Sequence, residues 1–365
     1  MKKYKQQKVK VLIISTVGLI YDGITSVILE CLRAMNREGI EFYVVSTIDC
    51  RPGIKKQLED LGCIIVEFAN RRTYPIQYFH ELTKFIRKND IDIVHAHGNS
   101  ATLAVEMIAA WLGGAKKRIA HSHNTRCDQV KADKVLRPFF NLFYTDALAC
   151  GEDAGKWLFG TKQFMVLNNG RDVEKFSYNP EKRQLMREQL GLTKELAIGH
   201  VGGFVEQKNH SFLINIFKEI VKLDSNVKFF LIGDGPKRTE IEEEAKGLDV
   251  AFLGTVDNVY DYLNAMDGMI LPSLFEGLPL VAIEWQLNGL PVLAADTITK
   301  ECVISENFEL LSLDEQAEKW AKKIVQMVHS NNREKNSLCA QNNAQNYGFD
   351  INESAKILRD IYLHS

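Results

Sequence analysis

Short runs of apolar residues alternate along the chain with longer stretches whose apolar positions recur every three or four residues. Lys10–Ile14, Glu41–Ser46, Cys63–Glu67, Ile91–His95, Arg118–His121 and Ala147–Cys150 read as strands, with little polar alternation. A second series follows at Ala197–Val201, Lys228–Ile232, Val250–Leu253, Gly268–Leu271, Pro291–Ala294 and Glu309–Leu311. Between them, Ile24–Glu38, Ile76–Asn89, Ser100–Leu112, Ser211–Leu223, Pro236–Lys246, Val259–Ala265 and Leu280–Leu287 carry helical periodicity. Strands that are apolar throughout and alternate with helices predict parallel sheets covered on both faces. The pattern occurs twice, which predicts an α/β chain of two doubly wound, Rossmann-like domains. Ligands of such domains sit at the carboxyl ends of the strands, and two facing domains would enclose a cleft. Turn formers and charges cluster over Asn168–Leu192. The expected organisation is an N-terminal domain over 1–175, a C-terminal domain over 176–345, and a last segment over 346–365. That segment has an aromatic turn (YGFD) and then a helix expected to cross back to the first domain.

The length of 365 residues suits two cores better than one. No apolar stretch approaches the roughly 18 residues needed to span a bilayer. The basic start MKKYKQQKVK resembles a signal peptide, but the apolar run Val11–Ile14 is short and lacks a small-residue cleavage site. It reads as a first buried strand. Seven cysteines are scattered singly with no C-x-x-C pair, which argues against disulfides or zinc and fits a cytoplasmic protein. The net charge of −2 conceals an asymmetry. Residues 1–175 carry 26 Lys and Arg against 19 Asp and Glu, whereas the remainder carries 19 against 28. Such a basic half is either ordinary solvated surface or a face that meets something anionic. No nucleic acid is expected as a partner.

The densest chemistry lies in LPSLFEGLPLVAIEWQLNGLPVLAAD, residues 271–296. A strand ends at Leu271, a Pro- and Gly-containing loop follows, and a helix begins near Leu280. Amides at a helix N-terminus bind anions without any side chain. Glu276 in the loop and Glu284 on the helix, with seven residues between them, could grip sugar or ribose hydroxyls while the helix terminus holds phosphates. The plainer alternative is that Glu276 caps the helix and Glu284 is solvated. No Asp-x-Asp metal motif is present.

This Glu-x7-Glu stretch, with its flanks LPSLFEGLP and NGLPVLA, resembles glycosyltransferase family 4 of the GT-B fold. VGGFVEQKNHSFLINIF, FLIGDGP, VAFLGTVDNVYDYLNAMD, NNGRDVEKF and AHSHNT resemble further segments of that family, in the family's order and over nearly the whole chain. The resemblance implies a retaining glycosyltransferase that uses a nucleotide-sugar, most simply a UDP-sugar, without metal or other cofactor. It implies ribose contact by Glu284, donor-sugar contact by Glu276, and a pyrophosphate site on the backbone of Gly277, Leu278, Pro279 and Leu280. Lys208 would meet the leaving-group charge, and Phe252 would lie in the loop that receives the base. Gly18, in the glycine-containing loop after the first strand, would approach the donor phosphates. That loop lacks G-x-G-x-x-G, which argues against a dehydrogenase. In one respect the chain departs from the family: Gly203 stands where an Arg usually precedes the Lys of the phosphate loop, so one phosphate cation is missing.

His95, His97, His121 and His123 form two H-x-H pairs at predicted strand ends. Such pairs suit a metal, but they equally suit a polar strand end, since alternate residues share a face, and no further zinc ligand is evident. The resemblance gives His123 to the donor sugar and His97 and His121 to the acceptor side. The segment KADKVLRPFFNLFYTD (131–146) joins Lys131, Lys134 and Arg137 to Phe139, Phe140, Phe143 and Tyr144. It reads either as a helix resting on an anionic membrane or as a core-facing helix with a basic entry. The expected acceptor is a lipid-linked intermediate or glycan in cell-surface polysaccharide synthesis, with the protein at the inner face of the membrane. The alternatives are a nucleotide-sugar-binding subunit with little activity, or a GT-B nucleotide-sugar epimerase.

Overall fold

The computed structural model describes residues 8–364. Residues up to Gly170, together with those from Gly348 onward, form one compact unit, and Arg171–Tyr347 form a second. The divisions therefore fall after Gly170 and Tyr347, against expected divisions after residues 175 and 345. Arg171 already belongs to the second unit, where its side chain is buried against Glu284.

The first unit is built on seven parallel strands: β1 (Val9–Ser15), β2 (Ile40–Ser46), β3 (Ile64–Glu67), β4 (Ile93–Gly98), β5 (Lys117–Ser122), β6 (Asp146–Ala149) and β7 (Met165–Val166). Their order is β3-β2-β1-β4-β5-β6-β7. Val11, Leu12, Ile13 and Ile14 are all buried, which is why β1 reads as one continuous apolar run at the sheet's centre. The strand expected at Ile91–His95 begins two residues later and runs to Gly98, so both His95 and His97 lie within it. The final helix, Ile351–Leu363, packs against the helix Gly23–Ala34 and against β1. It starts at Asp350, whose carboxylate accepts the Asn352 amide at 2.8 Å.

The second unit has six parallel strands: β8 (Leu196–Val201), β9 (Val227–Ile232), β10 (Val250–Gly254), β11 (Gly268–Leu271), β12 (Val292–Ala295) and β13 (Phe308–Leu311), in the order β10-β9-β8-β11-β12-β13. Phe217 stacks on Phe229 at 4.0 Å in its core, and Trp285 and Trp320 are fully buried. Each sheet reverses its strand order once, between β1 and β4 and between β8 and β11. Those reversals are where an open α/β sheet offers a crevice for ligands.

Candidate functional site

In the second unit, the loops leaving β8 and β11 flank the point of reversal, and they hold the residues singled out by spacing. The loop after β8 ends in a 3-10 turn, Glu206–Lys208. Asn209 then takes a left-handed conformation (φ 54°), which Asn tolerates better than most residues, before the helix His210–Leu223 begins. This turn brings Lys208 Nζ to 2.6 Å from Glu276 Oε1. Gln207 Nε2 donates to Glu276 Oε2 at 3.1 Å and to the Phe275 carbonyl at 3.0 Å, and the Leu274 amide donates back to the Gln207 carbonyl. The two loops are thus zipped together, with a cation and a carboxylate side by side at the crevice.

Glu276 does not cap the following helix, contrary to the plainer reading. The helix Leu280–Leu287 starts after Pro279 with no side-chain cap; the Ala282 amide donates to the Pro279 carbonyl at 3.0 Å, and no capping side chain competes for the other first-turn amides. Gly277, Leu278 and Leu280 are half-buried around that terminus, while Pro279 is buried. Nor is Glu284 solvated. It is nearly buried on this helix and pairs with Arg171 Nε at 2.8 Å. Phe252 lies half-buried on β10, its ring 6.1 Å from that of Phe204 in the loop after β8.

Two glycines separate clearly. Gly203 has an ordinary φ, and a Cβ built there would meet only the Asp234 carbonyl, at 3.6 Å. Nothing in the backbone requires glycine at the position of the missing arginine. Gly18, by contrast, has φ +95°, and a Cβ would lie 2.9 Å from the Asp49 carbonyl. Its own carbonyl accepts from Ser15 Oγ at 2.7 Å, so this glycine shapes the loop after β1.

In the first unit the four histidines form a two-tier stack at the ends of β4 and β5. His95 Nε2 meets His121 Nδ1 at 3.2 Å, and His97 Nδ1 meets His123 Nε2 at 2.8 Å. The tiers lie over one another, with ring centroids 4.1 Å apart for His95 and His97 and 4.2 Å for His121 and His123. Each nitrogen–nitrogen contact needs one N–H and one lone pair, so the stack requires complementary neutral tautomers. Burial holds His123 down to about 3, and burial with the neighbouring imidazoles holds the other three well below the usual imidazole range. The paired rings are close to parallel for His95 and His121 (7°) and inclined by 22° for His97 and His123, and His95, His97 and His121 each place one ring nitrogen within 4.8 Å of the others, near enough to share a metal ion. His95 Nδ1 is anchored by the Tyr362 hydroxyl at 2.7 Å, from the final helix. Among the described residues, His121 Nε2 and His123 Nδ1 are both buried and meet no hydrogen-bond partner, so the stack offers a ligand one nitrogen from each of these two rings.

Arg171, Gln207 and Tyr362 are site residues that sequence reasoning does not pick out. Arg171 lies inside the segment NNGRDVEKF, but the charge-rich turn around it gives no sign of burial. Tyr362 lies 267 residues from His95.

The helix Val130–Phe143 divides the basic–aromatic segment by face. Phe140 is buried, Phe143 and Tyr144 are half-buried, and Arg137 turns inward to Asp133 at 2.7 Å and to the Leu158 carbonyl at 2.7 Å. The outward face instead carries Val135 (69% exposed), Phe139 (51%) and Leu142 (73%) beside exposed Lys131 and Lys134. Trp111, 53% exposed on the preceding helix, extends it through ring contact with Phe143 at 5.1 Å. Among the described residues, no helix is long and apolar enough to cross a membrane.

Comparison with known proteins places these units among relatives. Residues 21–150 match the model of Glycosyltransferase Family 4, and residues 195–330 that of Glycosyl transferases group 1. The chain is 30% identical over 364 residues to the putative glycosyltransferase EpsF of Bacillus subtilis, covering 94% of each chain. It is 26% identical over 303 residues to the Escherichia coli UDP-Gal:alpha-D-GlcNAc-diphosphoundecaprenol alpha-1,3-galactosyltransferase, covering 77% of this chain and 78% of that one. Among solved structures, Anabaena HepE in complex with UDP superposes with a TM-score of 0.79 at 18% identity, over 97% of this chain and 99% of HepE.

Proposed function

We propose that this chain, which belongs to glycosyltransferase family 4 and has the GT-B fold, transfers a hexose or N-acetylhexosamine from a UDP-sugar. The acceptor is a lipid-linked saccharide or glycan in cell-surface polysaccharide synthesis, and the anomeric configuration is retained. The observation that carries this reading is the Lys208–Glu276 pair, which joins the loops after β8 and β11 beside the uncapped terminus of Leu280–Leu287. As the bond from the sugar's C1 to the pyrophosphate oxygen breaks, its electron pair passes to the pyrophosphate. Lys208 and the helix amides meet that charge, while Glu276 accepts hydroxyls of the sugar and Glu284 those of the ribose. The acceptor hydroxyl forms the new bond to C1 and passes its proton to the departing pyrophosphate oxygen. His123 serves the donor sugar through Nδ1, and His97 and His121 serve the acceptor side. The UDP held by HepE and the donor and acceptor named for the Escherichia coli relative support these choices.

No metal or other cofactor takes part in this scheme. Transfer or slow hydrolysis of one UDP-sugar by the purified chain is expected to persist in excess EDTA. Loss on chelation with recovery on Mg²⁺ or Mn²⁺ would overturn the metal-free reading. A melting temperature unmoved by every nucleotide and nucleotide-sugar would overturn the donor reading itself, because a ligand that binds the folded state raises it.

The acceptor reading adds a place of work. The outward face of Val130–Phe143 combines apolar side chains with Lys131 and Lys134, a combination that suits the interface of an anionic membrane, where apolar burial and charge attraction act together. The chain is therefore expected to float with phosphatidylglycerol vesicles and to come off as salt rises, since exposed charges are screened beyond roughly 8 Å at physiological salt. Lys131→Glu with Lys134→Glu, and separately Val135→Asp with Leu142→Asp, are expected to abolish flotation without lowering the melting temperature. Equal flotation of variants and parent would leave the face as ordinary surface.

A further inference from the structure

We propose that Arg171 is a positioning residue for Glu284, fixing the carboxylate that reads the ribose; this rests on the assignment of Glu284 to the ribose. Arg171 is 1% exposed and ranks among the largest fully buried side chains. A guanidinium stays charged at any working pH and demands donors' worth of partners. Burying it is costly unless an opposite charge is held against it in good geometry. Glu284 is that charge: its Oε1 lies 2.8 Å from Arg171 Nε, an ion pair by distance rather than an aligned hydrogen bond from that nitrogen.

The segment that carries Arg171 is attached to the helix Leu280–Leu287 at two points. The first is the ion pair with Glu284, inside the helix. The second is Asn288, at the helix's C-terminal end, whose Nδ2 donates to the Phe176 carbonyl at 2.9 Å. Between these points, Asp172 caps the short helix Val173–Phe176 by accepting the Lys175 amide at 2.9 Å, and Val173 and Phe176 are buried. Arg171 is therefore held by a rigid segment, and its charge beside Oε1 favours one rotation of the carboxylate about Cγ–Cδ. That rotation decides where the lone pairs of Oε2 point. A vicinal diol is read by a carboxylate only when this direction is set in advance, so that no rotational freedom is lost on binding. The pair thus does more than neutralise a buried charge, because it selects for a ribose that carries both hydroxyls.

The test compares UDP with 2′,3′-dideoxy-UDP on the full chain, by titration calorimetry. Wild type is expected to prefer UDP. Glu284→Gln should lose that preference, and Arg171→Met should lose most of it, with UDP binding weakened roughly tenfold and the dideoxy nucleotide almost unaffected. The double variant should be no worse than either single one, since both remove the same contact. If Glu284→Gln keeps the preference, the ribose assignment fails. If Glu284→Gln loses the preference while Arg171→Met keeps it, or if Arg171→Met weakens both nucleotides equally, Arg171 is only structural and the proposal is overturned. Should Arg171→Met not fold, Arg171→Lys provides the same readout. It retains the charge but not the fork, and its preference is expected to fall between those of wild type and Glu284→Gln. A preference equal to wild type would overturn the proposal in that case too.

Discussion

Lys208→Ala is expected to lower kcat by at least about 100-fold, because losing one preorganised donor to a developing anion costs roughly 3 kcal/mol of transition-state stabilisation. The reasoning starts from charge. A UDP leaving group gathers negative charge as the bond to C1 breaks, and in the absence of a metal the protein must supply the counter-charge. The helix terminus at Leu280 offers about half an elementary charge. The phosphate loop offers Lys208 but no arginine, since Gly203 occupies that place. Lys208 is confined at the crevice by Glu276 at 2.6 Å, with 15% of its side chain exposed, so its ammonium group stays beside the helix terminus although a phosphate must compete with Glu276 for it. The open surroundings of Gly203 supply a second arm to the test. Its φ is ordinary and its nearest Cβ neighbour would be the Asp234 carbonyl at 3.6 Å, so Gly203→Arg should fold normally. Placed on the Lys208→Ala background, it should recover part of the lost turnover. Steady-state kinetics of the two single variants and the double variant decide the matter. Near-normal turnover of Lys208→Ala would mean that the phosphates lie elsewhere.

Both sheets were legible because their inner strands are buried on both faces and so read as unbroken apolar runs, as in Phe229, Phe230, Leu231 and Ile232 of β9, whereas the edge strands β3 and β10 are only partly buried. Strand β7 is only two residues long and leaves no periodic signal. The helix Arg333–Asn346 is hidden for a different reason. It packs through Ser337, Ala340 and Ala344, which are small and weakly apolar, so its buried stripe does not stand out from a polar sequence. The helix Ala317–His329 carries a buried stripe in Trp320, Ala321, Ile324 and Met327, set among Lys and Glu residues that dilute its apolar content. In the site, Glu276, Glu284 and Lys208 were marked by spacing and resemblance, but their partners were not. Which loops meet depends on strand order, and β8 lies beside β11 only because the sheet reverses there. Tyr362 against His95 and Arg171 against Glu284 are long-range pairings of the same kind. The segment around Val130–Phe143 shows the converse. Its composition was legible, yet Phe140 faces inward while Val135 and Leu142 face out, because a count of aromatic residues does not specify a helix face.

Glu276→Gln is expected to move binding and turnover in opposite directions. In the resting protein Glu276 accepts from both Lys208 and Gln207, through Oε1 and Oε2. An incoming diphosphate must therefore compete with a carboxylate for the ammonium group. Glutamine has nearly the same shape, so the loops should keep their course. It lacks the negative charge, however, and the amide nitrogen that replaces one carboxylate oxygen cannot accept from Lys208 or Gln207. Lys208 is then more fully available to phosphate. At an effective dielectric near 20, removing one charge about 4 Å away is worth a few kcal/mol before solvent relaxation. Both side chains are partly exposed, which reduces the effect, so UDP should bind roughly three- to tenfold more tightly. Turnover should fall all the same. The charged acceptor for the donor sugar's hydroxyls is gone, and such charge-assisted bonds contribute about twice as much as neutral ones. A loss of kcat near 100-fold is expected, comparable to removing a single oxyanion-type contact. Titration of UDP and kinetics at saturating donor measure the two quantities separately. Weaker UDP binding by Glu276→Gln would show that the resting ion pair does not oppose the phosphates. An unchanged kcat would remove Glu276 from the reaction.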